Sequence, residues 1–472
     1  MKRLNRRTTL QGALATIVAG CSHQTTTTSK QVSDIPSVDW GMASKIVSET
    51  KRPNFNKQDF NIQQFGAVGD GKFDCSPAFR AAIAACQKAG GGRVVVSGGS
   101  FLTGPIHLKS NVNLHIEQSA TIKFFTDPKK FLPAVFTRWE GVEYMGYSPL
   151  IYAYGEKNIA LTGKGTLDGQ ANRTTWWPWK GNKEWGLESY PSQKAARDRL
   201  FRDAENGVPP QQRFYAEGAY LRPPFVQPYK CENVLIEDVR IIGAPFWLLN
   251  PVLCTNVTIR GVHLESLGPN SDGCDPESCK NVVIENCYFD TGDDCIAIKS
   301  GRNADGRRVN VAAENIVIRG CKMRAGHGGV VIGSEISGGV RNVFAENNEM
   351  SSPDLERGLR IKTNSVRGGL LENIFMRNCT IGEVRDAIVI NFYYEEGDAG
   401  AFDPTVRNVV VENLQCTKAQ QVFKIRGFKR KPIQQFTILS SNFKTAANPG
   451  IIEYVDQLKV ENVSINGKAF VV

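Results

Sequence analysis

Four short motifs place chemically useful side chains at regular intervals: Asn270-Ser271-Asp272, Gly292-Asp293-Asp294, Gly326-His327-Gly328 and Arg360-Ile361-Lys362. The step from Asp272 to Asp294 is 22 residues, and the steps from Asp294 to His327 and from His327 to Arg360 are 33 each. Glycoside hydrolysis needs one carboxyl that carries a proton for the departing oxygen and another, ionised, that activates water or attacks the sugar. Crowding Asp272, Asp293 and Asp294 raises at least one of their pKa values, because like charges do not all ionise cheaply at short range. His327, set between glycines, is placed to hydrogen-bond a carboxyl and hold its protonation state. Arg360 and Lys362 alternate along a strand and so share a face, where a guanidinium and an ammonium suit a carboxylated sugar. Taken singly, an Asp-Asp pair is a turn or a cation site and a Gly-His-Gly is a loop. The joint spacing is what carries the reading.

That spacing requires a scaffold that returns to the same place every 20 to 35 residues or so. One is present. Asn233-Val234-Leu235-Ile236, Asn256-Val257-Thr258-Ile259, Asn281-Val282-Val283-Ile284, Asn315-Ile316-Val317-Ile318, Asn342-Val343-Phe344, Asn373-Ile374-Phe375 and Asn408-Val409-Val410-Val411 share one form, with periods of 23 to 35 residues. Each is an Asn at a turn followed by a short β-branched strand, with no helical periodicity between. The fold class is all-β, a right-handed parallel β-helix in which Asn and Cys stack as ladders. Neighbouring strands lie about 4.8 Å apart, so four residues at one corner of successive coils would span roughly 15 Å of groove. Strict alternation would send Asp293 and Asp294 to opposite faces, so the strand must bend or end there if both are to reach the groove.

Ser76-Pro77 followed by Ala78, Phe79, Ala82, Ile83 and Cys86 gives a cap, a proline at the first helical position and an apolar face, a helix suited to closing the first coil. From about residue 172 to 225 the repeat lapses and Trp176, Trp177, Trp179, Trp185, Tyr190, Phe214, Tyr215 and Tyr220 mix with basic residues. Such an insertion emerges on one face of a solenoid, as a small packed subdomain, a groove wall, or both. The domain reading is an export signal over 1–21, a flexible tether over 22–55 and the β-helix over 56–472.

The signal rests on Lys2, Arg3, Arg6 and Arg7, a short apolar stretch and Val18-Ala19-Gly20-Cys21. It resembles a twin-arginine signal with a bacterial lipobox, which makes Cys21 the acylated residue and places the protein in the periplasm or at the outer membrane, touching the membrane only through its lipid. Removing Cys21 from twelve cysteines leaves an odd eleven, so no complete disulfide framework is assumed and one or two bridges stay open. Cys-x-x-Cys is absent and His is scarce, which argues against zinc.

Fifty-seven basic against 47 acidic residues give a net charge of +10, which steers polyanions to the surface. Basic blocks are confined to the first seven residues and a patch from Lys424 to Lys431, so acidic polysaccharide is favoured over nucleic acid. A monomer is expected.

The four motifs, in this order, resemble the signature of the polygalacturonases, glycoside hydrolase family 28, with Ser271 where Thr is usual. The resemblance runs from about Phe65-Gly66-Ala67 through the last coils. It implies inverting hydrolysis of α-1,4-linked galacturonic acid without metal or other cofactor. Asp293 then matches the general acid, Asp272 and Asp294 the carboxylates that activate water, and His327 the histidine supporting the acid. Arg360 and Lys362 match the cations for the substrate carboxylate, Asn270 belongs to the same substrate-binding set, and Tyr393, beside Tyr394, falls where the family has a substrate-contacting tyrosine. Inversion calls for carboxyls roughly 6.5 to 9.5 Å apart. Arg138-Trp139-Glu140-Gly141, the aromatic insertion and Arg222-Pro223-Pro224-Phe225 look like the bacterial exo-acting branch. The alternatives are a rhamnogalacturonan or xylogalacturonan hydrolase, a pectate lyase, which would need calcium, and a glycan-binding β-helix without turnover.

Overall fold

The computed structural model describes residues 38–186 and 191–472, so the export-signal and lipidation readings, Cys21 included, lie outside the described residues. The chain coils as a right-handed parallel β-helix. Its longest sheet runs from Asp59–Asn61 to Val455–Asp456, and strand pairing along it is parallel throughout. The repeat seen in the sequence is its register. Val234, Val257, Val282, Ile316, Val343, Ile374, Val409 and Phe436 stand directly above one another and all are buried. Burying each such side chain stabilises the stack by about 1.5–3 kcal/mol, and branched residues fit a pleated surface closed on itself.

From Val234 to Val409 the Asn immediately before each of these residues adopts a left-handed backbone, φ near +55° to +59°, and Gln435 does the same before Phe436. Asn tolerates this conformation better than most residues. Its amide then donates to the Asn one coil earlier, in a ladder from Asn408 down to Asn111 with bonds of 2.7 to 3.3 Å. The turn residue thus satisfies its own polar group against its repeat. Cysteines form shorter ladders: the Cys231 amide donates to the Cys254 sulfur and the Cys254 amide to the Cys279 sulfur, each at 3.4 Å. All eleven described cysteines are free and buried, so none of the bridges left open by the sequence is present among the described residues.

Helix α1, Gly41–Glu49, corrects the tether reading for its C-terminal part. Ala43 and Ile46, three residues apart and so on one helical face, pack with Val317, Phe344, Phe375 and Val410 of the long sheet. Trp40 meets Phe344 edge-on at 5.6 Å, and the Arg377 guanidinium lies 4.0 Å from the Trp40 ring centre. Helix α2, Ser76–Lys88, closes the first coil as expected, burying Ala78, Phe79, Ala82, Ile83 and Cys86 in the main core. Its cap is supplied two residues earlier than the sequence indicated: Asp74 accepts from both the Ser76 amide and hydroxyl, at 3.0 and 2.5 Å.

The insertion is both subdomain and wall. Helix α3, Lys194–Glu205, packs Ala196, Leu200 and Ala204 against Trp139, Tyr144 and Phe246. Phe214–Tyr215 adds a strand to the hairpin formed by Val135–Trp139 and Val142–Gly146. Trp176 and Trp179 belong instead to the β-helix core.

Candidate active site

Strand Tyr288–Thr291 ends just before the acidic pair and Ile296–Ile298 begins just after it. The intervening turn frees both side chains from strict alternation, so Asp293 and Asp294 reach the same groove. One oxygen from each of Asp272, Asp293 and Asp294 lies within 4.8 Å of the others. Asp272 and Asp294 are buried, whereas the Asp293 side chain keeps 18% of its surface. Of the three, Asp293 is the one a ligand in the groove can touch.

Asp293 Oδ1 is 2.8 Å from His327 Nδ1 and accepts the Asp294 amide at 3.0 Å. Burial by itself would raise its pKa, but His327, then Lys362 and Arg360, outweigh that and hold the carboxyl below the usual range. The Asp293 charge in turn raises the His327 pKa against the opposing effect of burial. At rest the proton of this pair therefore sits on the imidazole. Asp272 is in the opposite state. Burial, then the charges of Asp275 and Asp293, push its pKa well up, and Lys299 only partly offsets them. This departs from the sequence expectation, which made Asp293 the protonated group and Asp272 an ionised one. Burial decides the difference, because Asp272 has lost water and Asp293 has gained a cation.

Asp294 is gripped from the C-terminal side of the stack. Arg360 Nη1 meets its Oδ1 at 3.1 Å and Lys362 Nζ its Oδ2 at 2.6 Å. The motifs were expected at one corner, but the register differs. Arg360 is level with Val331 and Ala297, three positions along from the level of Asp294. The two cations reach back past the His327 coil, and glycine makes the passage. A Cβ on Gly328 would stand 3.2 Å from Asp294 Oδ1, 3.4 Å from Arg360 Cδ and 2.5 Å from Val331 Cγ2, while one on Gly333 would meet the Lys362 carbonyl at 2.1 Å.

Tyr393 requires correction. Its ring packs on Phe428 at 5.0 Å and against Arg426, away from the trio. Tyr394 is the tyrosine over the cations, its ring centre 5.4 Å from the Arg360 guanidinium and 5.3 Å from the Lys362 ammonium. Asn270 faces the groove's other end, where its amide oxygen accepts from Lys180 Nζ at 2.9 Å and Arg222 Nη2 at 2.8 Å.

Several site residues escaped the sequence reading. Lys299 is buried, with its ammonium 3.7 Å from Asp272, 3.4 Å from Asp275 and 3.1 Å from Glu335, over the Trp247 ring at 4.5 Å. A lysine closing the apolar strand Ile296-Ala297-Ile298 was the available signal. Asp275, also buried, has its pKa pushed up to about 8 by burial. The carboxyl spacing expected for inversion is not reproduced, since the closest oxygens of the trio lie nearer than 6.5 Å.

The site as a whole offers a carboxylate–imidazole pair open to the groove, a second carboxyl whose pKa burial pushes up, and a third paired with two cations. That is equipment for proton transfer beside an anionic sugar. The comparisons with known proteins agree. The sequence profile of glycosyl hydrolases family 28 matches residues 216–465. A hyperthermoactive exopolygalacturonase from Thermotoga maritima is 46% identical, with 91% of this chain and 96% of that one covered and a TM-score of 0.88. An exo-poly-alpha-D-galacturonosidase of Dickeya chrysanthemi is 27% identical over 439 residues, 86% of this chain and 70% of its own length. A family 28 exopolygalacturonase of Yersinia enterocolitica, 20% identical over 86% of this chain and 76% of its own, shares the fold with a TM-score of 0.69. The profile match spans more than half of the sequence and carries all four motifs, so this chain belongs to glycosyl hydrolases family 28.

Proposed function

We propose that this protein is an exo-polygalacturonase that hydrolyses α-1,4-linked galacturonic acid from an end of pectic polygalacturonate. The observation that carries the reading is the carboxylate trio with Arg360 and Lys362 closing one side of it. A polymer bearing one carboxylate per sugar meets cations where it must be cut.

Asp293 is the proton donor in this reading, because it alone of the trio is open to the groove. Arg360 and Lys362 help hold it deprotonated at rest. A substrate carboxylate arriving on them cancels part of their charge and excludes water, and both effects raise the Asp293 pKa. The proton then moves from His327 to Asp293 and on to the departing oxygen. Asp294 accepts a proton from the attacking water as the water's oxygen bonds to the sugar, and Asp272 flanks that water. Inverted stereochemistry is part of the proposal on family grounds, and proton NMR of the first-formed product anomer tests it.

Incubation of the purified protein with polygalacturonate, with and without EDTA, tests the whole. New reducing ends, monomer from the first time points, no ultraviolet-absorbing unsaturated product and no effect of EDTA are expected. Unsaturated product lost with EDTA would make it a lyase, and no product at all a binding protein. Export, with Cys21 acylated, completes the proposal and is supported by the basic, apolar and small-residue run before Cys21. Mass spectrometry of the protein from membranes, with Cys21→Ser as control, tests it.

A further inference from the structure

The cations of the site stand on both sides of the carboxylate trio, and only one side is accounted for. Arg360 and Lys362 approach from later coils and are paired with Asp294. Lys180 and Arg222 come from the insertion and the residues that close it, on the side of the earlier coils. They converge on one neutral acceptor, Asn270 Oδ1.

Arg222 is completely buried, and its other hydrogen bonds go to the Gln193 side chain at 3.1 Å and to the carbonyls of Pro245 and Pro269 at 3.0 and 2.7 Å. Among the described residues no carboxylate lies within ion-pair distance of either cation. Glu140, the acid whose charge acts most on both, is already committed to Arg197 at 2.9 Å and lies 3.8 Å from Arg302. Burial accordingly pulls the pKa of both Lys180 and Arg222 down. A buried charge without a carboxylate partner is costly; Arg222 is such a charge, and with the half-buried Lys180 beside it the pair suits an anion.

The insertion holds Lys180 in place. It ends the 3-10 turn Trp177–Lys180, in which Trp177 donates to the Ala244 carbonyl at 2.9 Å and covers Gly268 so closely that a Cβ there would lie 2.2 Å from the indole. Trp179 is buried between Trp176 and Tyr220, at 4.9 and 5.2 Å. Lys180 itself is only half-buried. An ammonium has three donors; one is used on Asn270, which leaves two for a ligand.

We propose that Lys180, backed by Arg222 and oriented by Asn270, is a second carboxylate-binding subsite. It takes the acid group of the sugar on the opposite side of the scissile bond from the one that faces Arg360 and Lys362. This deepens the exo-polygalacturonase reading and rests on it. A polymer end is then gripped by one carboxylate on each side of the bond to be cut, with the insertion closing the groove beyond.

The test uses digalacturonate and its two mono-methyl esters, one on each sugar unit, with the full-length protein. The wild type is expected to discriminate against both esters. In Lys180→Met, kcat/KM on digalacturonate should fall about 10- to 100-fold, as for loss of a charge-assisted hydrogen bond. Discrimination against one ester should vanish while that against the other persists. Lys180→Gln, which keeps a donor for Asn270 without the charge, should behave like Lys180→Met, and an unchanged unfolding midpoint in either variant separates the effect from misfolding. A wild type that cleaves polygalacturonate while both variants keep both discriminations overturns the subsite alone. A wild type that does not cleave polygalacturonate overturns the underlying reading and the subsite with it.

Discussion

His327 Nδ1 stands 2.8 Å from Asp293 Oδ1, and this pair, rather than a single carboxyl, is the proton store of the groove. The raised His327 pKa means that the pair's contribution to stability is fully present below the ordinary imidazole value of 6.5 and is lost as pH rises through the higher folded value. The lowered Asp293 pKa adds stability above 3.8 that is lost as pH falls through a value below it. Between these limits the pair holds one proton. The pH profile of kcat/KM for polygalacturonate should therefore carry its basic limb above pH 6.5, and His327→Gln should move that limb downward.

Asp293→Asn keeps the shape of the group but cannot give a proton. A fall in kcat of about 10²- to 10⁴-fold is expected, with an unchanged circular dichroism spectrum. Full activity in that variant would remove Asp293 from the donor role.

Tyr394→Ala uncovers Arg360 and Lys362. A cation–π contact is worth about 0.5 to 2 kcal/mol, so KM should rise about 2- to 30-fold, whereas Tyr393→Ala should leave KM near the wild-type value. The reverse ranking would restore the assignment first read from the sequence.

Gly328→Ala places a methyl group between Asp294, Arg360 and Val331. Overpacking of this kind costs about 1 to 3 kcal/mol, and the displaced Arg360 should weaken substrate binding as well. Calorimetry should show a lowered midpoint together with a raised KM. A lowered midpoint with normal kinetics would mean that the passage of Arg360 over the His327 coil does not matter to the reaction.

Asn315 donates to Asn281 and accepts from Asn342, each at 3.0 Å, with φ at +59°. Asn315→Ala loses two hydrogen bonds at about 0.5 to 1.5 kcal/mol each and puts a Cβ-bearing residue without a local polar partner into the left-handed region, for about 1 to 2 kcal/mol more. A loss of about 2 to 5 kcal/mol is expected in urea unfolding, and Asn315→Gly should recover the backbone part alone.

The coils and the four motifs were legible because both are periodic: a β-branched strand after each Asn repeats its own environment, and the groove residues inherit that period. What does not repeat could not be read in this way. Lys180 and Arg222 reach the groove from an irregular insertion, so no spacing tied them to Asn270. Tyr393 and Tyr394 follow the end of a strand at Asn391, where alternation no longer says which residue points where. The charge states of Asp272 and Asp293 depend on burial and on His327, which spacing does not reveal. Helix α1 was hidden by the Thr- and Ser-rich composition before it, although Ala43 and Ile46 already mark a helical face.

Helix α1 also has a bearing on how the chain is made. Its partners Val317, Phe344, Phe375 and Val410 lie some 270 to 370 residues downstream of it, on the same coils that bring His327, Arg360 and Lys362 to the groove. A solenoid can grow coil by coil during synthesis, but this helix has nowhere to dock until those coils exist. Its arrival is therefore a late event that waits for the coils carrying the groove residues. A nascent chain halted before Val317 would show α1 protease-accessible, and protection of Lys45 and Lys51 from trypsin would serve as a clock for the coils that carry Val317 to Val410.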